Sequence, residues 1–216
     1  GSIQRLELDG TLTTLYTECD GRPLRAPNDL VMDGTGGFYF TDHGVRDITR
    51  RTTDLCGIYY ARCDGSSVVE VAFPTHEPNG IGLSPDGSTL YYAETYTTRL
   101  YRRTITSPGV LADGGGSLDA AAVVANVPGL QYLDSLAVDG EGYVCVGTLL
   151  NGGITAFAPD GSSITHHAAD DLLPTNLCFG GADLTDVWVT LSGTGRLVRG
   201  RWIRPGLRLH HQELPT

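Results

Sequence analysis

The sequence lacks any apolar run that approaches the ~20 residues of a membrane-spanning helix. It also lacks a stretch of ten or more residues with apolar positions at helical spacing, which argues against a helical domain. Basic residues are few: 15 Lys and Arg stand against 25 Asp and Glu, a formal net charge of −10. This balance argues against nucleic acid or an anionic membrane as a partner. It favours cations as ligands, although an acidic surface that is merely exposed to solvent would give the same charge balance.

The five cysteines are odd in number and lack the paired spacing of a metal site. A chain of 216 residues can bury a core without a disulfide framework. Cys145 and Cys178 lie within predicted strands, where a buried thiol acts as a small hydrophobic side chain. These features predict a reducing, cytoplasmic compartment.

The composition is rich in Gly (29), Pro (11) and Tyr (10), which suits an all-β structure with many turns. Four related stretches combine a short apolar strand, a turn containing Gly and Asp, and a second strand, as in a β-hairpin. They begin at Asn28, Asn79, Asp134 and Asn176, and the start positions are 51, 55 and 42 residues apart. This spacing is typical of the four-stranded blades of a β-propeller.

Equivalent positions of a radially repeated fold meet at its axis, so the repeat itself predicts a site. The oxygen-bearing side chains that open the four stretches should form a ring at one mouth of a central channel. Each returning antiparallel strand should bring further polar residues to the same face, namely Asp42, Glu94 and Thr148.

The blade boundaries follow from the hairpins. We predict one propeller domain over residues 1–216, with four-stranded blades at about 28–75, 79–127, 134–170 and 176–211. The strands from Ile3 to Leu8 and from Thr11 to Thr17 should form the outer half of a preceding blade. Residues 107–119 have the Gly-rich composition of an insertion.

The connection from Asp42 to Cys56 is the longest one predicted on the ring face. It carries His43 and three arginines (Arg46, Arg50 and Arg51). Arginines over a channel mouth suggest a lid for an oxygen-rich or anionic ligand. A solvated surface loop is the alternative interpretation.

These motifs resemble the senescence marker protein-30, gluconolactonase and luciferin-regenerating enzyme family. The resembling segments are Arg25-Ala-Pro-Asn-Asp29, Pro78-Asn-Gly-Ile-Gly-Leu-Ser-Pro-Asp-Gly87, Tyr91-Tyr-Ala-Glu-Thr95, Asp134-Ser-Leu-Ala-Val-Asp139, Asn151-Gly-Gly-Ile154, Thr175-Asn176 and Arg204-Pro-Gly-Leu207. The resemblance implies a six-bladed β-propeller, of which this chain would cover about four and a half blades. It also implies a divalent cation, commonly Ca²⁺, in the channel mouth.

The resemblance also implies roles for individual residues. Asn79 and Asp134 match metal ligands, and Asp134 matches the family's candidate base or nucleophile. Asn28 matches a residue that binds the metal or the substrate, and Arg25 matches a substrate contact. We expect His43 and the loop arginines to select the substrate, with further pocket-lining positions at Asp29, Tyr132 and Asn176.

The sequence departs from the family pattern in two places. The family supplies another ligand from a Glu-Gly-Pro motif in its first blade, and this sequence has no such segment. We therefore expect the first blade and the inner half of the second to be absent, and the isolated chain to bind a cation weakly and be nearly inactive. Ser135 replaces the Gly that usually follows the ring Asp, which could reshape the mouth.

The chemistry of the ring agrees with the resemblance, because hard cations prefer carboxylate and amide oxygens. Ca²⁺ is the leading candidate, with Zn²⁺, Mn²⁺ and Mg²⁺ as alternatives. Asn and Asp before a strand also cap turns, which needs no metal. The leading function is a metal-dependent lactonase acting on a small lactone or ester. A phosphotriesterase on the same site and a non-catalytic calcium-binding propeller remain alternatives.

Overall fold

The computed structural model describes residues 1–112, 114–115 and 122–212, and these residues contain strands and turns but no α-helix. No helix in this part of the chain is therefore long and apolar enough to cross a membrane. The strands are, in chain order, β1 (Ile3–Leu6), β2 (Leu12–Tyr16), β3 (Glu18–Cys19), β4 (Arg22–Pro23), β5 (Pro27–Met32), β6 (Gly37–Asp42), β7 (Arg46–Asp47), β8 (Thr52–Thr53), β9 (Cys56–Arg62), β10 (Val68–Thr75), β11 (Pro78–Leu83), β12 (Thr89–Glu94), β13 (Arg99–Ser107), β14 (Val110–Leu111), β15 (Val123–Asn126), β16 (Tyr132–Val138), β17 (Val144–Leu149), β18 (Gly153–Phe157), β19 (Ile164–Ala168), β20 (Pro174–Gly180), β21 (Asp186–Leu191) and β22 (Arg196–Arg201).

Four antiparallel sheets form the blades. From the inside outwards they are β5-β6-β9-β10, β11-β12-β13-β15, β16-β17-β18-β19 and β20-β21-β22. The pairs β1-β2, β3-β4 and β7-β8 are separate two-stranded sheets, and β14 pairs with the far end of β13. The predicted all-β propeller is confirmed. Part of the predicted insertion, residues 113 and 116–119, lies outside the described residues.

The innermost strands of neighbouring blades lie side by side, since β5 contacts β11, β11 contacts β16 and β16 contacts β20. The predicted ring positions Asn28, Asn79, Asp134 and Asn176 all lie near the beginnings of these four strands. The predicted return of the second strands is also confirmed, by the pairs Pro27–Asp42, Pro78–Glu94 and Leu133–Thr148. The beginnings of the inner strands therefore define one face of the propeller.

An aspartate fixes the turn at the opposite end of each inner hairpin. In each turn its Oδ1 accepts a hydrogen bond from the backbone N–H two residues later, at 2.7–3.1 Å. The four residues are Asp33, Asp86, Asp139 and Asp183. This local bond is the physical reason for the Asp in the repeated turn, and it sets the register of the hairpins.

Gly80 allows the inner strands of the second and third blades to approach each other closely. A Cβ atom at this position would lie 2.5 Å from the backbone nitrogen of Leu136 and 2.8 Å from the carbonyl oxygen of Asp134. Backbone atoms cannot rotate away as a side chain can. The absence of a side chain at residue 80 therefore keeps Asn79 beside the strand that carries Asp134.

Replacing Gly80 with Ala should force β11 and β16 apart and lower the free energy of unfolding by about 1–3 kcal/mol. Urea denaturation of both proteins measures the change. Gly200→Ala is the matched control, because its Cβ would meet its nearest neighbour, Val187 Cγ1, at an ordinary 3.7 Å. Equal stabilities for the two variants would contradict the close approach described here.

The last blade differs from the prediction, because its described residues form three strands rather than four. After β22 the chain turns back towards the channel. Arg204 pairs with the buried carboxylate of Asp139, and Gly206 forms a bridge with Asp139 on the third blade. This anchoring takes the chain away from the outer edge of β22, where a fourth strand would pair.

The two cysteines predicted to be buried behave differently. Cys145 is fully buried, as predicted, whereas Cys178 is exposed, so the prediction for Cys178 is wrong. Residues alternate along β20, and Leu177 and Phe179 point into the core between the third and fourth blades. Cys178 between them consequently faces the channel.

Candidate functional site

Asn79 and Asp134 come together where the second and third blades meet at the channel mouth. Asn79 is only 6% exposed; its Nδ2 donates to Thr95 Oγ1 at 3.2 Å, and its Oδ1 accepts from Ser135 Oγ at 3.3 Å. These two bonds fix the orientation of the amide, with its oxygen towards the third blade. Ser135, the departure from the family pattern, thus binds the Asn79 oxygen, while the Asn79 amide also hydrogen-bonds the Asp134 carboxylate.

Asp134 is a partly buried carboxylate in this pair. Burial raises its pKa, and the backbone N–H of Ser135, the Asn79 amide and the nearby His43 each oppose that rise. The Ser135 N–H bond to Asp134 Oδ1 measures 3.0 Å. A carboxylate with these neighbours can accept a proton or bind a cation, and either event relieves its desolvation.

The predicted residues His43 and Arg25 are held near the mouth by Asp42. The buried carboxylate of Asp42 accepts hydrogen bonds from the backbone N–H groups of Arg25 (2.6 Å), Ala26 (2.7 Å) and Gly44 (3.0 Å). The N–H of His43 donates to Ala26 O at 2.9 Å. Asp42 therefore joins the segment before β5 to the loop after β6, and this arrangement explains why His43 lies close enough to affect Asp134.

Two of the three loop arginines pair with carboxylates. Arg46 pairs with Glu77, and Arg50 lies 3.6 Å from Asp47. Arg51 is exposed and forms no ion pair with a residue that the structure describes. The nearby Arg25 pairs with Asp54 at 2.8 Å. The lid for an anionic ligand therefore stays a prediction, with Arg51 as its unpaired cation.

The other two predicted ring residues, Asn28 and Asn176, make no hydrogen bond to the Asn79–Asp134 pair. Asn28 is exposed, and its side chain makes no hydrogen bond to any residue that the structure describes. Asn176 is exposed as well, and its Oδ1 accepts from the N–H of Leu177 at 2.7 Å, the same bond to the next residue that Asp134 Oδ1 makes with Ser135. The structure therefore brings Asn79, Asp134 and His43 together and shows no hydrogen bond from Asn28 or Asn176 to them.

A cavity of about 450 Å³ lies deeper in the channel, between the inner strands and the C-terminal segment. Asp29 and Asn176 line it, as predicted for pocket residues, whereas Tyr132 does not. Burial raises the pKa of Asp29 to about 6, opposed by hydrogen bonds from the backbone of Leu30, Ile81 and Leu136 and from Ser135. Asp29 thus connects three inner strands just beneath the mouth.

Sequence reasoning missed two residues at the mouth, Glu77 and Tyr96. Glu77 binds Arg46, whose guanidinium carbon lies 3.8 Å from the centre of the Tyr96 ring. The Tyr96 ring in turn contacts Tyr132, with ring centres 5.0 Å apart. An aromatic residue two positions after a strand that ends on the ring face was the available signal for Tyr96. No comparable signal marks Glu77.

The donor atoms of the Asn79–Asp134 pair fit a hard divalent cation in kind, since both supply oxygen. Among the described residues, no three His, Cys, Asp or Glu side chains are grouped to hold a metal. A cation at this mouth would therefore depend on amide oxygen in addition to the single Asp134 carboxylate.

Comparison with protein families gives a match over most of the chain. The family model described as "SMP-30/Gluconolactonase/LRE-like region" matches residues 2–193. Lactonase drp35 of Staphylococcus epidermidis (strain ATCC 12228) is 32% identical over 137 residues, which cover 63% of this chain. The aligned region covers only 40% of that relative, so the chain spans less than half of its length.

Solved structures share the fold. A gluconolactonase from Xanthomonas campestris, XC5397, superposes with a TM-score of 0.73 at 24% identity, covering 93% of this chain and 65% of that protein. The calcium-binding protein regucalcin of Agrobacterium tumefaciens superposes with a TM-score of 0.69 at 23% identity, covering 93% and 70% respectively. At these identities the likeness concerns the fold alone.

Proposed function

Because the chain belongs to the SMP-30/gluconolactonase/LRE-like family, we propose that the protein hydrolyses lactones with the help of a divalent cation, Ca²⁺ in the first instance. The observation that carries the proposal is the Asn79–Asp134 pair at the channel mouth, with His43 beside it. A small cyclic ester is the substrate class, as for the related lactonase.

We assign the cation to Asp134 and Asn79, with Asn28 as a further ligand on the neighbouring strand. When bound, the cation would polarise the lactone carbonyl and stabilise negative charge on its oxygen. Asn79 is suited to this role because Ser135 and Thr95 hold its amide in one orientation. An amide oxygen has two lone pairs, so the bond from Ser135 leaves one of them for a cation.

Asp134 is the proposed proton acceptor. Its burial makes the ionised carboxylate a better base than a solvated one, because protonation relieves the desolvation. It would take the proton from the attacking water as the water oxygen adds to the lactone carbonyl carbon. The ring C–O bond then breaks, and the alkoxide oxygen that leaves takes this proton from Asp134. Attack by the carboxylate itself is the covalent alternative. His43, Arg25, Asn28 and Asn176 are proposed to contact the substrate around this centre.

A non-catalytic cation-binding protein is the second candidate. It is favoured by the observation that the pair contains one carboxylate only, a weaker charge balance than a catalytic dication usually has. Hydrolysis of a lactone by the purified full-length protein, with and without a chelator, separates the two functions. Loss of activity on chelation and its return with Ca²⁺ support the lactonase, whereas calcium binding without turnover supports the second candidate.

Cation binding itself can be measured without turnover. Ca²⁺ at 100 times its dissociation constant should stabilise the wild-type protein by about 2.7 kcal/mol. We expect Asn79→Ala to raise the calcium concentration that gives this stabilisation roughly 10- to 100-fold, since it removes an oxygen but no charge. Asn151→Ala, an exposed amide outside the ring, is the matched control. Thermal unfolding measured against calcium concentration compares the wild type and the two variants. If Asn79→Ala were stabilised at the same calcium concentrations as the other two proteins, the assignment of Asn79 as a ligand would be contradicted.

A further inference from the structure

A connected group of four side chains flanks the Asn79–Asp134 pair, and the proposed reaction assigns no role to it. The group, here called the Tyr96 wall, consists of Arg46, Glu77, Tyr96 and Tyr132. Tyr96 follows β12, and Tyr132 begins β16, so the two rings come from neighbouring blades. Tyr132 stands two residues before Asp134 on the same strand. The wall therefore borders the candidate reaction centre.

The wall is held rigidly by an ion pair and a stacking contact. Arg46 Nε donates to Glu77 Oε1 at 2.9 Å, and the Glu77 side chain is only 5% exposed. The guanidinium lies over the Tyr96 ring at 3.8 Å, while 44% of the Arg46 side chain remains exposed. A planar guanidinium fixed on one side by a carboxylate and below by a ring keeps its orientation without a ligand.

Glu77 adopts a strained backbone conformation that joins this wall to the candidate ligands. Its φ is +46°, in the left-handed region that non-glycine residues rarely occupy, and such strain concentrates at functional sites. Its carbonyl oxygen accepts from the N–H of Thr95 at 3.1 Å, and Thr95 Oγ1 accepts from Asn79. One short segment consequently positions both Arg46 and Asn79.

Tyr96 is an exposed ring of the wall, and it lies beside Tyr132 and His43. Tyr96 is 40% exposed, and its ring centre lies 5.0 Å from that of Tyr132 and 6.4 Å from that of His43. Tyr132 and Asp134 are two residues apart on β16, so their side chains leave the same face of the strand. A molecule placed against the wall would therefore lie next to the Asp134 carboxylate.

The charges of the wall cancel, which decides the kind of ligand it fits. Arg46 is balanced by Glu77, and the nearby Arg25 is balanced by Asp54. An anionic group would find no unpaired cation in the wall, whereas a flat neutral ring could lie against the tyrosines and the outer face of the guanidinium.

We propose that the Tyr96 wall determines substrate specificity by binding lactones that carry a flat apolar face, such as a ring fused to benzene. The proposal rests on the proposed lactonase function and narrows its substrate class. Tyr96 contacts the apolar ring of the substrate, and Arg46 and Glu77 act as positioning residues that hold Tyr96 in place.

The test compares two neutral lactones, a benzene-fused six-membered lactone and the compact γ-butyrolactone. Tyr96→Ala should lower kcat/KM for the fused lactone about 10-fold, mainly through KM, and change the compact lactone less than about twofold. Tyr96→Phe should keep the preference, because the ring rather than the hydroxyl makes the contact. Arg46→Ala should also reduce the preference for the fused lactone over the compact lactone, as Tyr96→Ala does.

Arg199→Ala is the matched control for Arg46→Ala. Arg199 also pairs with a buried carboxylate, that of Asp186, and lies over an aromatic ring, that of Trp188, but it stands on the outer strand of the last blade. The Arg199→Ala substitution should leave the preference for the fused lactone over the compact lactone unchanged. Equal losses on both lactones in Tyr96→Ala, or an equal effect of Arg199→Ala, would overturn the proposal.

Binding of the corresponding benzene-fused lactam, which resists hydrolysis, separates this proposal from the proposed function. Calorimetry should show lactam binding that weakens about 10-fold in Tyr96→Ala and persists in Tyr96→Phe. Such binding without hydrolysis of either lactone would support the wall while contradicting the lactonase. Hydrolysis of both lactones at equal efficiency without lactam binding would overturn the wall and leave the lactonase standing. If the protein neither hydrolysed the lactones nor bound the lactam, both the wall and the lactonase would be overturned.

Discussion

In the intact protein, replacing Asp134 with Asn should reduce lactone hydrolysis by roughly 10²–10⁴-fold at saturating Ca²⁺, the usual loss when a general base is removed. The substitution keeps the shape of the side chain and one oxygen, so Ser135 can still donate its backbone hydrogen bond. It removes the negative charge and the proton acceptor together. We also expect weaker calcium binding, and for this reason turnover must be compared at saturating metal rather than at one fixed concentration.

The control for this substitution is Asp170→Asn, because Asp170 is a fully exposed aspartate on the third blade with one weak ion pair to Arg196 at 3.8 Å. It should keep wild-type turnover and wild-type calcium dependence. Initial rates measured against calcium concentration give both quantities for each protein. Retention of more than about a tenth of wild-type activity by Asp134→Asn at saturating calcium would show that another group accepts the proton.

The repeat made the position of Asn79 and Asp134 predictable. Because each inner hairpin begins on the same face of the propeller, equivalent residues of the repeat lie together on that face. The pairing of Pro78 with Glu94 follows from the same geometry. Asp139 and the three other turn aspartates belong to the same pattern, because their bonds are local. Features fixed by strand period and turn chemistry could therefore be read from the sequence.

Features that depend on contacts between blades could not be read in this way. The sequence shows three arginines in one loop, but the partner of Arg46 lies outside that loop, and Arg46 meets Glu77 only after the first two blades pack. The same holds for Ser135, whose hydroxyl reaches Asn79 across the boundary between two blades. The prediction for Cys178 failed for a simpler reason: an inner strand has one face towards the channel, so not all of its apolar residues are buried.

The second large effect is expected at the other end of the inner strands. Arg204→Ala should lower the free energy of unfolding by about 3–5 kcal/mol, because it leaves the carboxylate of Asp139 buried without its partner. Asp139 is fully buried, and the Arg204 side chain is 14% exposed and lies 3.8 Å above the Tyr143 ring. A loss of this size is a large part of the 5–15 kcal/mol that stabilises a typical domain.

Two further proteins show whether the buried charge is the cause. Arg50→Ala removes one partner of a pair whose arginine is 83% exposed, and it should change stability by no more than about 1 kcal/mol. Combining Arg204→Met with Asp139→Asn removes both buried charges and should recover part of the loss seen in Arg204→Ala. Urea denaturation compares the four proteins.

The C-terminal segment also contacts the strand that carries Asp134. The N–H of Leu207, three residues after Arg204, donates to Val138 O on that strand at 3.2 Å. The loss of stability in Arg204→Ala should therefore loosen the candidate site as well. If Arg204→Ala were no more harmful than Arg50→Ala, the C-terminal segment would not hold that strand, and the position of Asp134 would depend on the blades alone.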